Sequence, residues 1–308
     1  MFGRGEFDAG LRHLEQARDL FDHEQHSRFR FQYGQDIGAA TLCYLSWALW
    51  HIGHVEQATK VADEALRRAE ALSHPHTYVY TLCHARAFID IFKRQCDEMQ
   101  SYAHVIVSLC AEHGLSHWMN CGRIFEGWAA ICGGDVRSGI ETLRGGLAGW
   151  RMAGAKLWLP IFGMMEAEAY SKAGRNDDAL QAIDRAIAIS AETGERWALA
   201  EVLRLKARLL PLTGSTGLAA VREIETLLVR SLNTARHQCA RSWELRASAD
   251  LARLWTGQGR MKEATQLLQL VYDQFTEGFE SIDLRDSKSL MESIEVTTRD
   301  LSKVPNLP

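Results

Sequence analysis

Apolar residues recur along this chain at helical spacing, and nowhere do they alternate over enough positions to predict a strand. Between Val55 and Leu72 the apolar and small positions are Val55, Ala58, Val61, Ala65, Leu66 and Ala69. Between Asn176 and Thr193 they are Ala179, Leu180, Ile183, Ala186 and Ile187. Each segment is a one-sided helix that must cover its apolar face against a neighbour. The breaks between segments are periodic. Turn residues fall at Gly53, Arg94, Gly134, Gly174, Gly214 and Gly259. Seven places before each stands a small residue, Ser46, Ala87, Gly127, Ala167, Ala207 and Ala252, at separations of 41, 40, 40, 40 and 45. A period of about forty residues, with each copy too short to bury its own face, predicts a solenoid of stacked helix pairs.

The other positions keep that register. Four places before the turn stand Leu49, Tyr170, Leu210 and Trp255; five places after it stand Ala58, Gly139, Ala179 and Ala264. This is tetratricopeptide logic, in which a first helix ends on a left-handed residue and a second begins with a small contact residue. Second helices are punctuated at Ser73, Gly114, Gly154 and Gly194, with Trp118, Trp158 and Trp197 following as anchors. The expected fold is all-α, a right-handed superhelix of about seven such pairs. Residues 1–300 form one array with an incomplete first repeat, a final helix over Asp283 to Asp300 caps it, and 301–308 are a flexible tail. Pro75 opens a helix after His74, and the longest irregular stretches are 23–35 and 214–218. Gly5, Gly10 and Leu11 align with a repeat turn, so Leu11, Leu14, Ala17, Leu20 and Phe21 read as a second helix without its first. Such an uncovered face predicts either self-association through this helix or a chain that continues upstream.

Composition removes several classes of function. A net charge of -4 gives no basic footprint for nucleic acid, and no apolar run approaches the roughly 20 residues of a membrane span. No basic-then-apolar signal pattern opens the chain, which points to the cytoplasm. The seven cysteines are scattered among apolar helix positions, so reduced, buried thiols are expected rather than a disulfide framework. No Gly-x-x-x-x-Gly-Lys-Ser/Thr phosphate loop occurs, and no nucleophile motif is present. Neither a cofactor nor a metal is expected. His51 with His54, His23 with His26, and His113 with His117 have metal-ligand spacings, but no further ligand completes a set and they read as surface or turn histidines. Gly214-Ser215-Thr216-Gly217 lacks the lysine of a phosphate cradle and reads as a connector. Arg28-Phe29-Arg30-Phe31-Gln32-Tyr33 interleaves cations and rings as a single-strand nucleic-acid platform would; inter-helix packing is the stronger reading on an acidic chain. Trp47, Trp50, Trp128 and Trp255 recur in helical register and belong to the core.

One row of charges stands out. Eight residues before the turn, where a leucine is usual, stand Arg86, Glu126, Glu166 and Lys206, each 40 after the last, while the end repeats keep Leu45 and Leu251. Equivalent positions on adjacent first helices lie about 10 Å apart, so this row can form a ladder of opposite charges that fixes stacking. Alternatively, joined by Arg123, Glu168 and Arg204, it lines the inner groove and recognises a charged peptide segment of a partner.

Several runs carry a resemblance: Gly34-Gln35-Asp36 with Tyr44-Leu45-Ser46-Trp47-Ala48-Leu49-Trp50, Ala167-Glu168-Ala169-Tyr170 with Lys172-Ala173-Gly174, Glu192-Thr193-Gly194-Glu195-Arg196, Leu203-Arg204-Leu205-Lys206, and Phe275-Thr276-Glu277-Gly278-Phe279. As a set they resemble the C-terminal repeat region of bacterial multidomain signalling proteins, in which a class III nucleotide cyclase domain and an AAA-type ATPase module precede tetratricopeptide repeats. The resemblance covers nearly the whole chain. It implies a non-enzymatic regulatory arm that binds a protein or peptide in its concave groove and works with upstream cyclase and ATPase domains. It places no catalytic residue here. The competing expectation is a repeat domain that senses a small ligand or effector, and a third is a free-standing scaffold.

Overall fold

The computed structural model describes residues 2–303 apart from residues 27 and 215. A 3-10 turn at Phe2–Arg4 leads into α1, Phe7–Asp19; the short helices α2, His23–His26, and α3, Phe29–Tyr33, occupy the stretch expected to be irregular. Six pairs follow. They are α4, Ile37–His51, with α5, Val55–Ala71; α6, Pro75–Thr81, continued by a π-helical segment Leu82–Phe88 into α7, Ile89–Lys93, with α8, Met99–His113; and α9, Ser116–Cys132, with α10, Val136–Met152. Next come α11, Leu159–Lys172, with α12, Asn176–Thr193; α13, Leu199–Leu209, with α14, Leu218–His237; and α15, Arg241–Gly257, with α16, Met261–Tyr272. The last helix, α17, spans Ile282–Lys303 and so enters the expected tail, of which 304–308 lie outside the described residues. The described residues contain no strand. Ser215, in the Gly-Ser-Thr-Gly connector, is also outside them.

All six turn residues are left-handed, as are the second-helix ends Ser73, Gly114, Gly154 and Gly194. Arg94 holds the glycine position at φ 59°. The two irregular separations have structural causes. From Ser73 to Arg94 is 21 residues against 20 from Gly114 to Gly134, and this longer first helix is the one carrying the π-helical segment, which absorbs an inserted residue without displacing the ends. The other excess lies in α14, the 20-residue second helix of the fifth pair, which ends at the left-handed Cys239.

Small residues sit where paired backbones touch. A Cβ on Gly127 would lie 2.4 Å from the Leu143 backbone nitrogen and 2.6 Å from the Gly139 oxygen. Ser46, Ala87, Ala167 and Ala252 are fully buried at the same register.

Large rings from all six pairs turn towards one axis. Trp47 of α4 lies 4.7 Å from Phe88, 5.2 Å from His84 and 5.4 Å from Trp197 between ring centroids. Phe88 is 4.9 Å from Trp158 and 5.5 Å from Phe125, Trp150 stacks on Trp158 at 5.6 Å, and Trp50 meets Trp243 at 4.7 Å. These rings fill the interior that the sequence reading assigned to a concave groove. Their polar atoms are mostly matched: Trp47 Nε1 donates to the His84 carbonyl at 2.8 Å, and Glu195 accepts from Trp197 Nε1 at 2.6 Å and from the Trp158 backbone N–H at 3.0 Å. Phe2 plugs one end of the axis against Phe7, Tyr44 and Trp47, and Gly3 accepts from the Arg196 N–H. Helix α1 covers α4 with the buried Phe7 and the half-buried Leu11 and Leu14, leaving Leu20 exposed.

The last pair returns to the first two. Ser242 Oγ donates to the Trp50 carbonyl, and Arg246 donates to the Phe92 carbonyl. Arg94 pairs with Asp283 at 3.2 Å and Asp286 at 3.0 Å. The Glu277 carboxylate accepts from the Glu56 and Gln57 N–H groups at 3.0 and 3.1 Å, where the first turn of α5 has donors to spare. Gly278 N–H returns a bond to Glu56. The superhelix is closed on itself, and α17 is a bridge as well as a cap.

Two buried histidines sit among the rings, which corrects the surface reading of His51. His51 and His84 are 0% exposed; each donates Nδ1–H to a carbonyl four residues earlier, Trp47 and Tyr80, at 2.7 Å, and each Nε2 has no partner among the described residues. Burial pushes both pKa values down to about 3, against the raising effect of those carbonyls. The unfolded chain protonates such rings near pH 6.5, so their contribution to stability is complete above about pH 6.5 and is lost as pH falls towards the folded value. By about pH 5 each ring should remove about 2 kcal/mol, visible as a falling urea midpoint in titrations stepped down from neutrality. An unchanged midpoint over that window would contradict buried, neutral rings. A second expectation concerns Gly127→Ala, which in an ordinary helix would stabilise by about 1 kcal/mol. Here the new methyl meets backbone, and a loss of about 1 to 3 kcal/mol is expected in thermal unfolding.

Candidate functional site

The inner helices α11, α13 and α15 carry charge as well as rings near one mouth of the axis. Glu201 accepts from Arg204 at 2.7 and 2.8 Å and from Arg246 at 3.0 Å. Arg204 also meets Asp250 at 2.5 Å, and Arg246 meets Asp283 at 2.7 Å. Burial opposes ionisation of Glu201, but the two guanidiniums outweigh it and hold the pKa at about 2. Every buried charge in this lattice has at least one opposite partner, the condition under which such groups are tolerated.

Beside the lattice opens a pocket of about 380 Å³, joined through shared walls at Arg94, Arg204, Arg208 and Arg246 to a second space of about 210 Å³. The end of α7, together with α9, α11, α13 and α15, supplies the walls. Two wall cations make no ion pair among the described residues: Arg208, and Lys172, whose Nζ lies 5.4 Å over the Trp128 ring. Between them stands Glu168. Burial raises its pKa and the Glu201 charge raises it further, against Arg204, Arg208 and Lys172. The buried indole N–H groups of Trp128 and Trp243, both on the wall, have no hydrogen-bond acceptor. Met164, Leu205 and Leu209 supply apolar surface.

Cys96 and Cys132, also on the wall, are joined as a disulfide, with Cα atoms 6.3 Å apart. This corrects the expectation that every thiol is reduced and buried. The period that stacks the second and third pairs brings the turn after α7 against the end of α9. Cys43, Cys83, Cys110 and Cys121 are free and buried, and Cys239 is free and exposed. Among the described residues no three His, Cys, Asp or Glu side chains group to hold a metal ion.

The seven charged residues singled out by sequence fall in separate places. Glu168 and Arg204 line the pocket. Arg86, Glu126, Glu166 and Lys206 lie elsewhere, on the seam between each first helix and the second helix before it, and Arg123 is exposed on α9 beside Gly146 of α10. Arg86 pairs with Asp63 of α5 at 2.6 Å, Glu166 with Arg144 of α10 at 3.8 Å and with Arg185 of α12 at 3.5 Å, and Lys206 with Asp184 of α12 at 2.7 Å. Glu126 is half-buried; burial raises its pKa, while the charges of His104 on α8 and of the exposed Arg123 lower it. The pairing therefore runs from first helices to second helices, mostly the preceding one, and the rung-to-rung ladder between first helices does not form. A matching row completes it: Asp63, His104, Arg144 and Asp184, spaced 41, 40 and 40. That row was present in the sequence and went unread. In the last pair the seam is apolar, with Leu251 in a cluster that also holds Val229.

The outer face near Glu166 bears a shallow groove of about 530 Å³ whose lining includes Arg144, Arg151, Arg175, Arg185, Asp178 and Tyr170. Arg175 is engaged by Asp178 at 2.8 Å, whereas Arg151 is exposed and makes no ion pair among the described residues. A lining of four arginines and two carboxylates is a cationic spot on an acidic chain.

No family model matches the chain. It is 26% identical over 193 residues to an uncharacterized protein of Rhizobium meliloti (strain 1021), a stretch that covers 61% of this chain and 18% of that protein. The chain thus spans less than a fifth of the length of this relative. Among solved structures, yeast Tom70 is similar at a TM-score of 0.52 and 16% identity, over 86% of this chain and 48% of that one. A Podosopora anserina putative kinesin light chain of nearly identical TPR-like repeats gives a TM-score of 0.43 and 19% identity, over 73% of this chain and 95% of that one. The likeness to Tom70 is one of fold, an all-helical tetratricopeptide-like solenoid. No helix among the described residues is long and apolar enough to cross a membrane.

Replacing Glu201 by Gln would leave Arg204 and Arg246 facing each other with their shared carboxylate removed. Breaking a buried pair in this way costs about 3 to 5 kcal/mol, and chemical denaturation of Glu201→Gln should show a loss of that size. A loss below about 0.5 kcal/mol would mean that Asp250 and Asp283 alone satisfy both arginines.

Proposed function

We propose that this chain is a non-enzymatic interaction and regulatory module that recognises an acidic segment of a protein partner on its outer face. The observation that carries this reading is the groove of four arginines around Glu166, on a molecule whose axis is filled with aromatic rings. A partner cannot thread the superhelix; it meets the seam and the outer helices. Arg123, Glu126, Arg86 and Lys206 extend the charged strip on either side of this spot and set the register of a longer partner. Glu168 and Arg204 belong to the pocket and have no part in this contact. The module serves as an arm of a larger signalling protein, which accords with a match to less than a fifth of a relative. Its assignment to the nucleotide cyclase and ATPase class rests on the resemblance of the sequence runs given above. A second reading, an effector-sensing domain, is favoured by one observation: closure leaves a pocket of about 380 Å³, within the range of small-molecule sites.

An oligoglutamate peptide tests the partner reading. Its binding should weaken as salt rises and should fall severalfold in Arg151→Glu, while stability of this exposed variant stays within about 0.5 kcal/mol of the parent. Glu166→Lys adds a third cation beside Arg144 and Arg185 and should cost about 1 to 3 kcal/mol. Oligoglutamate binding that ignores both salt and Arg151→Glu would remove the outer groove as the docking site.

A further inference from the structure

We propose that the central pocket binds a small organic anion, a molecule with one acidic head group and an apolar body. This goes beyond the partner reading and concerns a different face of the protein. The head group is argued from unspent charge. Of the five cations on the wall, Arg204 and Arg246 are committed to Glu201, Asp250 and Asp283, and Arg94 to Asp283 and Asp286. Lys172 and Arg208 face the pocket with no carboxylate in ion-pair range, on neighbouring inner helices. Both are exposed on the wall and Glu168 is the one carboxylate between them, so this part of the pocket carries an excess of positive charge that attracts an anion.

The body is argued from the rest of the wall. Met164 and Leu205 are apolar, and the Trp128 and Trp243 side chains are 6% and 1% exposed with indole N–H groups that lack an acceptor. A bare inorganic anion would satisfy the cations and leave this surface wetted; an apolar molecule would cover it and strand the cations. Only a ligand with both parts matches both sets. Enclosure by the ends of five inner helices also excludes a continuous nucleic-acid or peptide strand. Because those helices come from five of the six pairs, an occupant ties them together and stabilises the closed superhelix by linkage.

The test uses the full chain and naphthyl phosphate as the probe, with inorganic phosphate and naphthol as its two halves. Titration calorimetry should show naphthyl phosphate binding at least about tenfold more tightly than either half, with a matching rise in melting temperature. Arg208→Gln and Lys172→Gln should each weaken it about tenfold, read on folded protein well below each variant's own melting temperature. Arg151→Glu should bind the probe as the parent does. The proposal is overturned if the probe does not bind, if inorganic phosphate or naphthol binds as well as the whole, or if the pocket variants bind like the parent. It is equally overturned if Arg151→Glu abolishes binding, which would move the probe to the outer groove. Oligoglutamate binding is read separately, so loss of one reading leaves the other standing.

Discussion

Everything in this molecule depends on the rings that meet along its axis. A helical repeat by itself dictates only that each pair must cover its neighbour, and a stack of such pairs can remain an open spiral. Here every pair adds at least one large side chain to the same interior line, from Trp47 and Trp50 in the first to Trp243 in the last. Ring contacts of this kind add to the free energy of burial itself. Once they are made, the inner helices are drawn together, the ends come within hydrogen-bonding reach, and the interior has room only for an off-axis pocket.

That geometry explains why charge is distributed as it is. Near the mouth, buried arginines of α13 and α15 add a lattice fixed in direction beside the rings, with Arg246 lying over Trp50 and Trp243. Glu201 holds two guanidiniums while Asp250 and Asp283 take the remaining faces. Ionic contacts of this type add little net stability compared with apolar packing, yet they are intolerant of misplacement. Their role here is to set the angle at which the last pair returns to the first. On the seams, the paired rows from Asp63 to Lys206 do the same between neighbours in the middle of the stack, and Leu251 with Val229 does it by apolar contact at the end.

The parts of this structure legible in the sequence are those that obey the period. Turn positions, the small residues at helix crossings and the tryptophan anchors were all readable because each recurs at fixed spacing and each has a local physical cause. The π-helical segment was visible as a single extra residue, although its form was not. Closure was not legible. The bonds from Arg246 to Phe92, from Ser242 to Trp50 and from Glu277 to the start of α5 occur once each and join residues more than 150 positions apart, so no pattern announces them. The pairing of Cys96 with Cys132, only 36 positions apart, also occurs once and does not recur with the period. Of the candidate residues, charge at a repeat position correctly marked an inter-repeat contact. Its direction was misjudged, because equivalent first helices seemed the natural partners and the complementary row on the second helices was passed over. Lys172 entered only within a run carrying the resemblance and Arg208 not at all, since a missing ion pair leaves no trace in a sequence.

The link between Glu277 and the first turn of α5 changes how such a protein comes apart. A linear stack frays: its terminal repeats have one neighbour instead of two, and unfolding proceeds inward from whichever end is weaker. A stack whose last segment caps the helix of its first has no such end. Opening the first or the last pair must also break these closing bonds, so each end of the stack is held on two sides.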